Sequence, residues 1–103
     1  MIYCFDIDGT ICSKVENADY PSALPLQSRI VHVNKLYAEG HTIIFFTARG
    51  STTGIDWRHL TESQLNSWGV NYHQLILGKP EADIYVDDRG IKDTSYFEDD
   101  YCE

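Results

Sequence analysis

Long apolar runs and an excess of basic residues are both missing from this sequence. No stretch reaches the roughly 18 consecutive apolar residues that a membrane-spanning helix needs, and no basic-then-apolar leader is visible. Lys and Arg number 8 against 16 Asp and Glu, which gives a net charge of −8. Proteins that bind long nucleic acids tightly neutralise the phosphates with basic side chains, so we do not expect this protein to bind long nucleic acid tightly. We expect a soluble cytoplasmic protein that spans no membrane.

Cysteine is also scarce, with three residues in the chain. Cys4, Cys12 and Cys102 form no Cys-x-x-Cys pair. An odd count without metal-binding spacing indicates reduced thiols, although the spacing leaves a Cys4–Cys12 bridge open. Cys4 stands among apolar β-formers, and we therefore predict that it belongs to the core rather than to a catalytic site.

The length and the distribution of the acids predict one domain over residues 1–103. A chain of this size has room for one modest core and no second lobe. Four acids crowd the last six residues, and four more follow predicted strands. Without these eight, the remaining eight acids equal the eight basic residues, so the body is about neutral. Residues 94–103 are predicted to form a flexible acidic tail.

Strand and helix patterns alternate along the chain, which predicts an α/β fold. The predicted strands are 3–7, 42–46, 74–77 and 84–86, separated by helices from Leu26 to a stop at Gly40 and from a cap at Asp56 to Trp68. This alternation predicts a parallel sheet with right-handed crossovers. Such sheets bind ligands beyond the carboxyl ends of their strands.

Polar side chains follow several of these strands. Asp6 and Asp8 lie two positions apart at the end of the first strand and share one side of it, and such close like charges favour a cation. The other candidates at the same edge are Thr47 and Arg49 after the second strand, Lys79 after the third, and Asp87 and Asp88 after the fourth. Hard oxygen ligands suit Mg²⁺, while hydroxyl, ammonium and guanidinium groups suit phosphate oxygens. These residues predict a site for Mg²⁺ and a phosphate.

The same residues resemble the four motifs of the haloacid dehalogenase (HAD) superfamily of phosphatases. The motifs are Asp6-Ile7-Asp8-Gly9-Thr10, Thr47 after an apolar strand, Lys79, and Asp87-Asp88 after another strand, and the resemblance covers roughly residues 2 to 92. It implies a three-layer, Rossmann-like core with a short parallel sheet in the order 3-2-1-4. The intervals between the motifs leave no space for a cap domain. Capless members act on large substrates or complete their site with a neighbouring subunit, so a homo-oligomer is left open.

The resemblance also implies a role for each residue. Asp6 would be the nucleophile that takes the phosphoryl group, and Asp8 the general acid and base. Thr47 would bind the phosphoryl oxygens, and Lys79 would neutralise their charge. The Mg²⁺ ligands would be Asp6, Asp8, Asp87 and Asp88. Gly9, Arg49 and Arg89 would contact the substrate, although either arginine could instead pair with Asp87 or Asp88.

Three functions are compatible with this pattern. The segment from Gly78 to Arg89 resembles small HAD proteins of sugar-phosphate or capsular-polysaccharide metabolism, which favours a phosphorylated small molecule or saccharide as the substrate. Thr47-Ala48-Arg49-Gly50 and Asp87-Asp88-Arg89 resemble the phosphatase domain of bacteriophage polynucleotide kinase, so a polynucleotide 3′-phosphatase is the alternative. The missing basic charge makes nucleic acid the weaker candidate. The third function is a non-catalytic, metal-binding regulatory domain.

Overall fold

Three parallel strands form the sheet in the computed structural model, which describes residues 1–99. They are β1 (Ile2–Phe5), β2 (Thr42–Thr47) and β3 (Gln74–Leu77). β2 lies in the middle, so the order is β1-β2-β3, with Ile2 opposite Thr42 and Thr47 opposite Leu77. The first three strands and their parallel pairing agree with the sequence-based prediction.

The predicted fourth strand does not form, so the order 3-2-1-4 is wrong. Ile84 and Val86 are 76% and 91% exposed and pair with no strand of the described chain. These residues are apolar β-formers, but only six residues, 78–83, separate the end of β3 at Leu77 from Ile84. A parallel crossover usually takes a dozen residues or more, which explains why this segment does not return to the sheet.

Two crossover helices and a short terminal helix flank the sheet. α1 spans Gln27–Ala38, α2 spans Arg58–Ser67, and α3 spans Asp93–Phe97. α1 ends just before Gly40, whose φ of +93° suits a residue without a side chain. α2 starts two residues after Asp56, and its cap residue is Trp57 rather than the predicted Asp56. The Asp56 carboxylate still accepts a hydrogen bond from the Arg58 N–H at 3.0 Å.

All three helices contact one face of the sheet. Two right-handed crossovers in the order β1-β2-β3 place α1 and α2 on the same side. The core cluster joins alternate strand residues to both helices, and its members include Phe5, Ile43, Phe45, Leu75, Ile30, Val33 and Leu65. The described residues therefore form two layers, and no third layer covers the opposite face.

The opposite face of the sheet is open. Ile2 is 72% exposed, and Cys4 is exposed rather than part of the core as its sequence neighbours suggest. Ile44, Phe46 and Ile76 share this face through strand alternation and stay outside the core cluster of the described residues.

The first residues of the predicted acidic tail pack against α1. The buried Arg29 guanidinium donates hydrogen bonds to Asp93 at 2.8 Å and to Asp99 at 2.7 and 2.8 Å. Its carbon lies 4.8 Å from the centre of the Phe97 ring. Residues 100–103, the rest of that prediction, lie outside the described residues.

Candidate active site

A tight turn after β1 presents the two carboxylates of the first motif. The Ile7 carbonyl accepts hydrogen bonds from the N–H groups of Thr10 and Ile11, both at 3.0 Å. Gly9 has a φ of +79°, a left-handed conformation that favours glycine, and its N–H donates to the Cys12 carbonyl at 2.8 Å. The predicted Asp-Gly turn is therefore present, and it brings Asp6 and Asp8 to the carboxyl edge of the sheet.

The end of β2 lies beside this turn and is tied to the end of β3. Thr47 is 1% exposed, and its hydroxyl oxygen accepts a hydrogen bond from the Arg49 N–H at 3.2 Å. The Thr47 carbonyl accepts from the Lys79 N–H at 3.1 Å. Because the hydroxyl acts as an acceptor there, its hydrogen is free to donate into the site.

Arg49 forms a two-pronged ion pair with Asp8. Its Nε and Nη2 donate to Oδ2 and Oδ1 of Asp8 at 2.9 and 2.8 Å. The guanidinium is fully buried and the Asp8 side chain is 22% exposed. A planar, bidentate pair of hydrogen bonds of this kind fixes the orientation of the carboxylate and balances its charge. Of the two sequence-based interpretations of Arg49, the structure shows a carboxylate pair, but with Asp8 instead of Asp87 or Asp88.

The remaining Arg49 amino group joins the site to α2 and to the loop after β1. Nη1 donates to Thr61 Oγ1 at 3.1 Å and to Gln64 Oε1 at 2.6 Å, while the guanidinium carbon lies 4.5 Å from the centre of the Tyr20 ring. Gln64 in turn donates to the Tyr20 carbonyl at 2.6 Å. Burial alone would lower the pKa of Arg49, but the hydrogen bonds and charge of Asp8 outweigh it and raise the pKa.

Asp6 faces Lys79 across the mouth of the site. The Lys79 Nζ lies 3.9 Å from Asp6 Oδ1 and 4.4 Å from the centre of the Tyr85 ring. Burial raises the pKa of Asp6 above its usual range, and the positive charge of Lys79 offsets this only in part. Burial disfavours the ionised form of Asp6, and a nearby cation such as the Lys79 ammonium stabilises it.

The predicted residues around Asp6 line a cavity of about 210 Å³. Its walls are Asp6, Asp8, Thr47 and Arg49 together with Lys14, Val15, Tyr20, Ala48 and Glu81. A second cavity of about 460 Å³ shares Val15, Tyr20, Ala48 and Glu81 with the first and extends towards Trp57. The first cavity contains the candidate catalytic residues, and the second lies directly beside it.

Asp87, Asp88 and Arg89 are not brought to this cavity. The side chains of Asp88 and Arg89 are 89% and 92% exposed and lie 3.9 Å apart. Asp87 accepts hydrogen bonds from the N–H groups of Arg89 and Gly90, which lower the pKa of its carboxyl. These three residues form a surface turn of their own.

The donor set of a single copy does not fit Mg²⁺. Within residues 1–99, no group of three or more His, Cys, Asp and Glu side chains is gathered closely enough to hold a metal ion. Both Asp8 oxygens already accept from Arg49, which leaves Asp6 and Glu81 as the carboxylates that line the cavity without such a bidentate partner. The predicted partners Asp87 and Asp88 would have to come from elsewhere.

Several site residues were not found from the sequence. Thr61 and Gln64 are polar residues on the inward face of α2, and Tyr20 lies in the loop after β1. Cys12 is fully buried beside Asp8, and burial, followed by the Asp8 charge, raises the pKa of its thiol to about 12, so it is not a nucleophile at neutral pH. Thr61 and Gln64 interrupt the apolar stripe of α2, and this was the one signal in the sequence that pointed to them.

Comparison with known proteins defines the fold class but names no family. The fold is a small parallel α/β domain without a cap, and no helix of residues 1–99 is long and apolar enough to cross a membrane. No protein-family model matches the chain. No curated protein matches it either.

Two solved structures share the fold. The crystal structure of a structural-genomics target from Vibrio cholerae is similar over 96% of this chain and 89% of that one, with a TM-score of 0.83 and 24% identity. A chain of the Pnkp1/Rnl/Hen1 complex is similar over 84% of this chain and 30% of its own length, with a TM-score of 0.58 and 18% identity. At these identities the likeness concerns the fold alone.

Proposed function

We propose that this protein is a phosphatase of the HAD type that hydrolyses a phosphate monoester through a phosphoryl group carried on Asp6. One observation carries the proposal: Asp6, Asp8 and Thr47 line one cavity at the carboxyl edge of the sheet, with the Lys79 ammonium 3.9 Å from Asp6. This set contains a nucleophile, a second carboxylate for proton transfer, a hydroxyl donor and a cation. It is gathered from three separate strand ends, which a chance cluster of polar residues would not require.

In the first step, an Asp6 oxygen attacks the phosphorus and the ester P–O bond breaks. Asp8 acts as the acid only in its protonated form, so one of its two hydrogen bonds from Arg49 must open first. Its proton then passes to the leaving oxygen, an alcohol departs and Asp8 becomes a carboxylate. Thr47 donates a hydrogen bond to the transferring group, and Lys79 balances its negative charge. Arg49 touches no substrate atom in this scheme and acts by fixing Asp8.

In the second step, water attacks the phosphorus and the P–O bond to Asp6 breaks. The Asp8 carboxylate takes the proton from the water, which restores the starting state and releases inorganic phosphate. Mg²⁺ stays the cofactor predicted from the sequence, but neither step depends on it, because the described residues gather no metal-binding group at Asp6.

A neutral, hydroxyl-rich leaving group is the preferred substrate class. The adjoining cavity contains polar Asn17, Thr52 and Thr53 beside the Tyr20 and Trp57 rings, and the Glu81 carboxylate stands where the two cavities meet. A carboxylate accepts hydrogen bonds from hydroxyls and repels further phosphates. A sugar phosphate or polysaccharide precursor suits this lining.

A polynucleotide 3′-phosphatase is the second candidate. The likeness in fold to a chain of the Pnkp1/Rnl/Hen1 complex is compatible with it, whereas the net charge of −8 is not what a nucleic-acid surface favours. The two candidates share the same chemistry and differ only in the leaving group. A metal-binding regulatory domain without activity is the third.

Phosphate release from an aryl phosphate in the presence of Mg²⁺ tests the proposal. The Asp6→Asn variant should lose activity by at least about 1,000-fold, because an amide cannot replace the attacking carboxylate. Asp56→Asn is the matched control, since Asp56 lines neither cavity and Asn can accept the same hydrogen bond from the Arg58 N–H, so the rate should not change. Equal rates for Asp6→Asn and the parent protein would reject the proposal. A panel of sugar phosphates and a 3′-phosphorylated oligonucleotide then separates the two substrate classes.

A further inference from the structure

The wall between the two cavities is built from the loops that follow β2 and β3. The Ser51 hydroxyl donates a hydrogen bond to the Lys79 carbonyl at 2.6 Å, and the Thr52 hydroxyl donates to the Glu81 carboxylate. Glu81 is an exposed residue that lines both cavities. Because each of these hydrogen bonds joins one loop to the other, the Glu81 carboxylate is held at the junction of the cavities by a partner on the opposite loop.

Basic residues line the first cavity but not the second. Lys14 and Arg49 are among the walls of the first cavity, and the Lys79 ammonium lies 3.9 Å from Asp6 there. Within the part of the chain that the structure describes, Glu81 is the one charged residue that lines the second cavity. A phosphate is therefore favoured in the first cavity, whereas in the second it would meet a carboxylate and no basic residue of the described lining.

Two aromatic rings form another part of the second cavity. Tyr20 and Trp57 both line it, and they meet edge to face with their ring centres 5.0 Å apart. The Arg49 guanidinium carbon lies 4.5 Å from the centre of the Tyr20 ring, which ties this ring to the catalytic residues. Aromatic faces of this kind offer apolar contact area to a molecule whose edges are polar.

The indole N–H of Trp57 is buried, and residues 1–99 provide no acceptor for it. The adjacent Cδ1 atom lies 3.3 Å from the position that a Cβ would take on Gly50, so this edge of the indole faces a residue of the second cavity that has no side chain. A buried donor without an acceptor costs free energy, and an oxygen of a bound molecule would remove that cost. Residues 51–55 are exposed, so this loop can shift to admit such an oxygen.

We propose that the second cavity binds the leaving group of the substrate as a neutral ring rich in hydroxyls, and that Glu81 and Trp57 determine this specificity. The Glu81 carboxylate accepts hydrogen bonds from the hydroxyls, and the Trp57 N–H donates to an oxygen of the ring. The faces of Tyr20 and Trp57 cover its C–H surface. The position of the phosphate in the first cavity rests on the proposed function, whereas the binding of the ring does not.

Glu81 also distinguishes the two substrate candidates. A sugar monophosphate places its one charged group in the first cavity and neutral hydroxyls beside Glu81. A sugar bisphosphate or a 3′-phosphorylated nucleic acid brings a further phosphate to the second cavity, where the Glu81 carboxylate repels it. Removal of this charge should therefore relax the selectivity rather than abolish binding.

Equilibrium binding to Asp6→Asn tests the inference, because this variant cannot form the phosphoryl intermediate and leaves the esters intact. Calorimetric titration compares the 6-phosphates of glucose, mannose and galactose with their 1,6-bisphosphates and with cyclohexylmethyl phosphate, which has a six-membered ring without hydroxyls. At least one hexose 6-phosphate should bind at least about 10-fold more tightly than its bisphosphate and than cyclohexylmethyl phosphate.

Fluorescence shows where the ring binds. The chain has two tryptophans, and Trp68 lines neither cavity. The addition of Trp68→Phe to Asp6→Asn therefore leaves Trp57 as the one tryptophan. Its emission should change as the hexose 6-phosphate is added, with the Kd found by calorimetry. Saturating inorganic phosphate, which has no ring, should change the emission less.

Single replacements in the Asp6→Asn protein separate the two roles. Glu81→Gln keeps an acceptor but removes the charge, so the preference for the monophosphate over the bisphosphate should fall at least about 5-fold. Trp57→Phe keeps an aromatic ring but removes the N–H, so the preference over cyclohexylmethyl phosphate should fall at least about 5-fold. Glu39→Gln is the control: it is exposed after α1, lines neither cavity and should keep both preferences. Thermal unfolding curves check that each variant is folded.

The outcomes separate this inference from the proposed function. Equal binding of every hexose 6-phosphate and cyclohexylmethyl phosphate, or binding without a change in Trp57 emission, overturns the binding of a ring in the second cavity. Unchanged preferences in Glu81→Gln or Trp57→Phe overturn the role of that residue. The predicted binding without phosphate release from any ester by the parent protein supports the inference and rejects the phosphatase. Phosphate release by the parent protein without these preferences does the reverse.

Discussion

At the scale of the residue, the Arg49–Asp8 pair decides how the site is held. Arg49 is buried, and its charge is balanced by the Asp8 carboxylate, which accepts hydrogen bonds from both Nε and Nη2 of Arg49. Its third nitrogen reaches Thr61 and Gln64, so α2 supports the orientation of Asp8. A proton-transfer group needs this kind of fixed position, and Arg49 supplies it without contact with the substrate.

Removal of Arg49 should therefore cost stability as well as activity. Arg49→Met leaves the Asp8 carboxylate partly buried without its partner, and we expect the free energy of unfolding to fall by about 3 kcal/mol. Adding Asp8→Asn should restore at least about 1 kcal/mol, because the unpaired charge is removed. Urea unfolding of the parent, the two single variants and the double variant measures this coupling.

The control is Arg89→Met, which removes an arginine whose side chain is 92% exposed and lies 3.9 Å from Asp88. Its cost should stay at or below about 1 kcal/mol, as for other surface ion pairs. A coupling energy near zero between positions 49 and 8 would mean that the bidentate ion pair with Arg49 does not fix the Asp8 carboxylate.

At the scale of the element, the loop between β2 and α2 shapes the entrance to the site. It carries Arg49 at its start, and its glycines at 50 and 54 both adopt left-handed φ angles, of +80° and +76°. Their surroundings differ. A methyl group on Gly50 would lie 2.1 Å from the Ile55 carbonyl oxygen, whereas one on Gly54 would meet nothing within 4 Å.

Alanine at these two positions separates backbone strain from crowding. Gly54→Ala should cost about 1 kcal/mol, because an L-residue is disfavoured at this φ. Gly50→Ala should cost at least about 2 kcal/mol more, because the loop must also move away from the clash with Ile55. The two variants are compared by their midpoints of urea unfolding. Because positions 50 and 54 have nearly the same φ, the difference between the midpoints reports the clash alone. Equal losses in the free energy of unfolding would show that the loop moves away from the Gly50→Ala methyl group at little cost.

At the scale of the whole molecule, the local patterns were predictable from sequence and the long-range partners were not. Periodicity located β2, β3 and both crossover helices, because each pattern reflects burial of its own side chains. The strand prediction for Ile84 to Val86 identified residues that suit a sheet. It could not show that the segment would stay outside the sheet, with Ile84 and Val86 exposed.

The site was predicted in the same uneven way. Asp6, Asp8 and Thr47 meet because parallel strands end at one edge, which topology alone implies. The Arg49–Asp8 fork joins residues 41 positions apart, and the Arg29–Asp93 pair joins residues 64 apart. Such pairs depend on the final packing of helices on the sheet, and no local spacing encodes them.

The central claim is that Asp6 carries a phosphoryl group, and covalent trapping tests it most directly. In Asp8→Asn, an aryl phosphate should still react, because its weakly basic leaving group needs little acid assistance, while water attack on the intermediate slows without a base. Mass spectrometry of acid-quenched protein should then find one phosphoryl group on the peptide that contains Asp6. The addition of Asp6→Asn should abolish it. No adduct, or a phosphoryl group on any other residue, would contradict the account.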